Sequence, residues 1–311
     1  ANPRQMPRSI FIQGLESAPF HPDCEWQGKG AEKPLIKGLK ALEMLVCGNV
    51  HMIVGADSRL TDYTDDVGVH SHTAAGEHPI ANPSIHIEKI DPITGIDDVI
   101  WTLHIADVIY IGALLMGKIY NQRVISICGE GVKPEMRKYY RVSLGSDVGE
   151  LLGGKLLEGE NEILSGGPLM GSHVSNSPYL GADHFSISAM MTSPKREGLH
   201  FFRLGAKKYT ASRTYLSAFL KKYFSISTLQ HGEKRPFIDG RIYDKVMPLQ
   251  IPAMPLIKAL ECEDYEQAVE LGLLEVAPED FALCSFVCPS KIDHVGIVSR
   301  GLLAYTEQYL E

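Results

Sequence analysis

The chain has 311 residues, 44% hydrophobic and 22% charged, which is enough apolar material for two or three cores. Its 38 acids and 30 bases leave a net charge of −8 with no basic stripe to read. That composition excludes a nucleic-acid binder relying on phosphate neutralisation and argues against an acidic partner or substrate.

Taken in chain order, Ser9–Gly14 predicts a buried strand. Pro34 opens an amphipathic helix with Leu35, Ile36, Leu39, Leu42, Leu45 and Val46 on one face, and Gly48 stops it. His51–Gly55 predicts the next strand, a polar loop runs from Asp57 to Pro83, and Ile85–Ile90 is expected to be a short strand. A helix at Ile105–Met116 precedes a strand at Arg123–Cys128. This alternation predicts a parallel, doubly wound sheet over roughly residues 8–130. Strands at Arg141–Leu144, Glu162–Ser165 and Phe185–Met190, with a short helix at Val148–Leu152, then suggest a small β-grasp-like module. Residues 192–255 read as a connector with one helix, Tyr215–Tyr223. Helices are expected at Leu256–Leu260, Tyr265–Leu271, Pro278–Val287 and Val295–Tyr309. Residues 251–311 carry 11 acids against 3 bases, so the whole net charge belongs to this C-terminal unit. The fold class is therefore α/β plus α+β, divided at 1–133, 134–205, 206–250 and 251–311.

The longest apolar run, Ile105–Gly117, holds about 13 residues with Asp107 inside it, short of the roughly 20 needed for a bilayer span. No membrane span is expected. Ala1-Asn2-Pro3-Arg4 is polar and lacks Met, so the start reads as a cut within a longer protein. The six scattered cysteines, Cys24, Cys47, Cys128, Cys262, Cys284 and Cys288, read as reduced, mostly buried thiols.

The turn after the first strand, Gly14-Leu15-Glu16-Ser17-Ala18-Pro19, has one glycine, a proline without an N–H and a carboxylate where a phosphate would sit. A fingerprint-type dinucleotide site is not expected there. His70, His72 and His78, with His86 nearby, could face a metal, but the spacing fits exposed loop histidines better. Gly166, Gly167, Pro168 and Gly171 form a turn that either cradles a ligand with backbone N–H groups or makes a tight corner. Counting back from Cys288-Pro289 along a C-x2-C-x2-C-x3-C-P cluster run places Cys284 third, Phe281 second and Pro278 first. Two of the four ligands are missing, so Cys284 and Cys288 read as a degenerate cluster remnant packing a helix. No catalytic constellation is readable.

Several segments taken together resemble the NqrA family, the A subunits of the bacterial sodium-translocating NADH:quinone oxidoreductases, from Ser9 onward. They are His78-Pro79 with His86, Asp107–Gly112 to Gln122-Arg123-Val124, Ser165–Gly171, Ser212–Leu216, Tyr243–Leu249 and Ala282–Pro289 with Lys291. One departure is Ala81-Asn82-Pro83, where the family tends to carry glycines. The resemblance implies a Rossmann-like domain, an SLBB-like β-grasp domain and a C-terminal helical domain, with a biotinyl-carrier-like domain before Ala1. The family is similar to the NADH-binding subunit of respiratory complex I and to the C subunit of the Rnf complex. In those relatives the C-terminal helices hold an iron–sulfur cluster, which NqrA proteins lack. The resemblance further implies a peripheral subunit on the cytoplasmic face of the bacterial inner membrane, without its own cofactor, docked chiefly on the quinone-site membrane B subunit. The complex passes electrons from NADH through flavins and iron centres to ubiquinone and exports Na+. The other readings are a catalytic NADH- or FMN-binding module and a quinone-binding role within this chain itself, with ubiquinone as its partner. The acidic C-terminal unit is expected to face away from the anionic leaflet.

Overall fold

The computed structural model describes residues 5–65, 67–175, 177–192 and 239–309, together with 202, 204–206, 209–211, 213, 215–220, 224 and 234–236. Four parallel strands form the first sheet in the order β3-β2-β1-β4: β1 (Ser9–Gly14), β2 (Val50–Val54), β3 (His70–Thr73) and β4 (Ile100–His104). β2 is buried along its whole length, as expected for a parallel strand covered on both faces. Between β1 and β2 come α1 (Glu25–Gly28) and α2 (Glu32–Leu45); α3 (Pro83–Ile90) precedes β4, and α4 (Ile105–Leu115) follows it. Leu35, Leu39, Val108 and Ile109 of α2 and α4 pack with Ile10, Ile12 and Met52 in one core. The two helices meet at glycines. A Cβ on Gly38 would lie 2.1 Å from the Val108 carbonyl oxygen, and one on Gly112 would lie 1.8 Å from that of Pro34.

The second sheet has five strands in the order β6-β5-β9-β7-β8: β5 (Gln122–Cys128), β6 (Lys138–Ser143), β7 (Asn161–Ser165), β8 (Ser172–His173) and β9 (Ser186–Met191). Only β5 and β9 are parallel within it. α5 (Val148–Leu152) places Val148 and Leu152 against Ile125, Ile127 and Ile187. The C-terminal region is helical: α6 (Ala253–Glu261), α7 (Tyr265–Glu270), a 3-10 turn at Pro278–Phe281, α8 (Ala282–Val287) and α9 (His294–Tyr309). Its core gathers Tyr243, Leu256, Phe281, Cys284, Cys288 and Val298, and takes in Ile85 from α3.

Four expectations change. Ile85–Ile90 is helical, not extended: Pro83 sits in the first turn after Asn82, and packing of Ile85 on the C-terminal core overrides β-branched propensity. The polar loop 57–83 contains β3, whose histidine-rich sequence hides an edge strand. The strand at Arg123–Cys128, expected in the first sheet, lies in the second, because its partners are β6 and β9. Within Tyr215–Tyr223, Leu216–Phe219 forms a 3-10 turn; residues 221–223, and Ser212 and Thr214 of the quoted motif, lie outside the described residues. The architecture is thus mixed α/β, with a parallel sheet, a second mixed sheet and a helical C-terminal region.

Candidate functional site

Strand order reverses between β1 and β4, and the crevice beyond the carboxyl ends of strands at such a reversal is where open α/β sheets bind ligands. Gln13 of β1 lies beside His104 of β4 in register, so the loop from Gly14 to Cys24 faces the start of α4. In that loop the Glu16 carboxylate turns back on its own backbone. Oε1 accepts from Ser17 N and Ala18 N, both at 2.7 Å, while Oε2 meets His21 Nδ1 at 3.1 Å. Burial alone would raise the Glu16 carboxyl, but the hydrogen bond and charge of His21, with the Ala18 N–H, hold it below its ordinary value. The carboxylate anticipated at the phosphate position occupies the N–H groups that an anion would use.

His104 caps α4: its Nδ1 accepts from Ala106 N at 3.1 Å, and its backbone N–H donates to Asp107 Oδ2 at 2.9 Å. With Nδ1 accepting, Nε2 bears the proton and faces Cys24 Sγ at 3.4 Å. Burial pushes His104 down to about 3 and pushes the Cys24 thiol well above its ordinary range, so neither offers a base or nucleophile at neutral pH. The Phe185 ring packs on His104 at 4.1 Å and on the Arg123 guanidinium at 4.3 Å. Arg123 is 2% exposed, and its Nε and Nη1 have no hydrogen-bond partner among the described residues.

The glycine turn expected from the sequence reaches this crevice. A Cβ on Gly167 would lie 3.3 Å from both His21 Nε2 and the Pro19 carbonyl oxygen. Gly166, at φ +103°, takes a conformation that favours glycine, and its Cβ would stand 3.3 Å from the His184 ring. The N–H groups of Gly166 and Gly171 donate to Ser186 and Gly167 carbonyl oxygens at 2.7 and 2.8 Å. Pro168 sits in the turn between them. His78 also arrives: its Nδ1 is 3.2 Å from Ser17 Oγ, which accepts from Ala81 N. From the C-terminal region comes Glu279. Burial first, then the charges of Asp280, Glu16 and Asp183, lift its carboxyl to about 7.

The remaining candidates lie elsewhere. His70 and His72 share β3, and their structural neighbour is His51 of β2, not His78; His51 Nδ1 and His72 Nε2 are 3.0 Å apart. Burial, then His72 and His70, keeps His51 low. His86 points to the Ile80 carbonyl oxygen at 2.7 Å. Among the described residues no group of histidine, cysteine and carboxylate side chains could hold a metal ion. Cys284 and Cys288 are fully buried, and the Tyr243 hydroxyl meets Cys288 Sγ at 3.1 Å. Burial, then the charge of Cys288, raises the Cys284 thiol to about 12.

His21, His104, Arg123 and Phe185 escaped the sequence reading. The one local signal was Asp107 three residues after His104, a helix-start spacing.

A family model described as the NqrA second alpha/beta domain matches residues 1–119. A Chlamydia caviae protein, named as the A subunit of a Na(+)-translocating NADH-quinone reductase, is 38% identical, over 99% of this chain and 68% of its own length. Its namesake from Chlamydia muridarum is 36% identical over 99% and 69%, and that from Glaesserella parasuis 33% over 96% and 66%. Among solved structures, an NAD+-reducing [NiFe]-hydrogenase in the H2-reduced state aligns at a TM-score of 0.47 and 12% identity, covering 99% of this chain and 57% of that one.

Proposed function

Because the chain belongs to the NqrA family of the Na(+)-translocating NADH-quinone reductases, we propose that it serves that complex as a peripheral subunit with no cofactor of its own. In this reading it docks on the membrane subunits, chiefly the B subunit, at the cytoplasmic face and beside the quinone step. The complex carries electrons from NADH through flavins and iron centres to ubiquinone and moves Na+ outward. The parallel sheet is then a Rossmann-like layer and the five-stranded sheet an SLBB-like β-grasp. Among the described residues no helix is long and apolar enough to cross a membrane, in keeping with peripheral attachment.

The single observation that carries the cofactor-free reading is Glu16. Its carboxylate already accepts from Ser17 N and Ala18 N at the strand reversal, so a nucleotide phosphate would have to displace a buried anion paired with His21. Arg123 favours the other reading, a catalytic NADH- or FMN-binding module. A buried guanidinium with Nε and Nη1 unpartnered among the described residues is a natural seat for a ligand anion.

Titration of NADH or FMN into the purified chain, followed by Trp26 and Trp101 fluorescence, separates the two. The expected result is a flat titration to millimolar ligand and no visible absorbance in the protein as purified. Saturable quenching, or a stoichiometric flavin, would move the function to the catalytic module.

A further inference from the structure

Composition argues against an acidic partner, yet the fold assembles a basic face from segments far apart in sequence. The C-terminal end of α4 and the loop after it leave Leu114 71% and Ile119 92% exposed, with Leu115 and Met116 beside them. Gly112, two residues before Leu114, packs on Pro34, so the exposed Lys33 and Lys37 of α2 flank this apolar tip and Lys118 lies within it. On the other side Tyr120 continues the surface. Its hydroxyl accepts from Arg141 Nη1 at 3.1 Å, and Arg141 Nη2 donates to the Lys29 carbonyl oxygen. Lys29 Nζ in turn stands 4.8 Å over the ring of Trp26, which meets Tyr139 edge-on at 5.9 Å, and both rings are exposed.

Bases outnumber acids on this face, five to three. The nearby acids Asp23, Glu25 and Glu32 each hold a backbone N–H, of Glu25, Arg59 and Gly30 respectively. Lys29, Lys33, Lys37, Lys118 and Arg141 form no ion pair among the described residues. The chemistry distinguishes a lipid surface from a protein surface. Protein interfaces deplete lysine relative to arginine, whereas this rim has four lysines and one arginine. Lysine stems that snorkel, Trp and Tyr at polar–apolar depth, and a short exposed aliphatic tip suit a headgroup layer.

We propose that this face, the α4 tip with its Lys, Trp and Tyr rim, seats on an anionic lipid bilayer. The acidic C-terminal helices then help to orient the molecule: a chain of net charge −8 approaches an anionic leaflet with this basic face first. The choice of lipid rests on the peripheral placement proposed above.

The test is co-sedimentation of the full chain with phosphatidylcholine vesicles with or without about 30% phosphatidylglycerol, at low and high ionic strength. Binding is expected only with phosphatidylglycerol, weakened by salt, and accompanied by a Trp26 blue shift that is lost in Trp26→Phe. Leu114→Glu with Ile119→Glu, and separately Lys29→Glu with Lys118→Glu, are expected to reduce partition at least about tenfold. These are surface positions, and an unchanged circular dichroism spectrum checks the fold. Met44→Glu serves as a control: Met44 is 83% exposed, about 15 Å along α2 from Pro34, and should bind as the parent does. No binding to anionic vesicles, or binding indifferent to both double variants, overturns the lipid face. If the chain ignores vesicles but still assembles with the membrane subunits, the lipid face is lost and the peripheral role stands. If it binds vesicles as described but never assembles with those subunits, the lipid face stands and the peripheral role is lost.

Discussion

At His104 one imidazole closes the N-terminus of α4 with Nδ1 and meets the Cys24 thiol with Nε2, which requires a neutral ring. Burial sets its folded value at about 3, against 6.5 for the free side chain. Between those values the unfolded chain binds the extra proton, so stability is complete above about 6.5 and falls as pH drops towards about 3. His104→Asn keeps a capping acceptor and removes the titration. Urea midpoints across that window should show a pH dependence shallower by about one proton for the variant. An unchanged slope would mean that other groups carry the acid sensitivity. Glu16 was legible in the sequence as an obstacle to phosphate, because a carboxylate in a one-glycine turn is a local fact. Arg123 and Phe185 were not, since their meeting spans 62 positions and leaves no trace in spacing.

Among the elements, α2 and α4 are joined by the absence of side chains at Gly38 and Gly112. Apolar periodicity predicts both helices, but it cannot say that their backbones touch. Gly112→Ala must push α4 off the Pro34 carbonyl, and it is expected to cost about 3 kcal/mol in urea denaturation. Gly117→Ala is a poor control for this, because Gly117 has φ +70° even though nothing lies within 4 Å of a Cβ there. A Gly112→Ala variant as stable as the parent would show that the helices can separate freely. The helices of the C-terminal region were readable in the sequence to within a few residues. β3 was not, because its histidines alternate with small polar residues and the strand gains its order only by pairing with β2.

Across the whole molecule, Asp280 ties the C-terminal helices to the first α/β layer. Its Oδ1 accepts from Asn82 Nδ2 at 2.7 Å and Ser84 Oγ at 2.6 Å, and its Oδ2 accepts from Ala277 N at 2.9 Å. Burial raises this carboxyl, and those three donors pull it back. Asp280→Ala leaves buried donors without an acceptor and should cost about 3 kcal/mol. Limited proteolysis is expected to cut the C-terminal region faster, and equal cleavage rates would remove Asp280 from this role.

The sequence by itself determined β1, α2, β2 and α4 of the first layer, the acidic helical C-terminus, the family and the lack of cysteine at Pro278 and Phe281. Each follows from local pattern or composition. Only the tertiary structure decided that Gln122–Cys128 joins the second sheet and that Glu16, His104, Arg123 and Gly167 share one crevice. It also gathered around an apolar tip five bases that form no ion pair among the described residues. Strand partners and crevice walls are chosen by hydrogen bonds and burial between segments far apart in the chain, and those choices have no local signature.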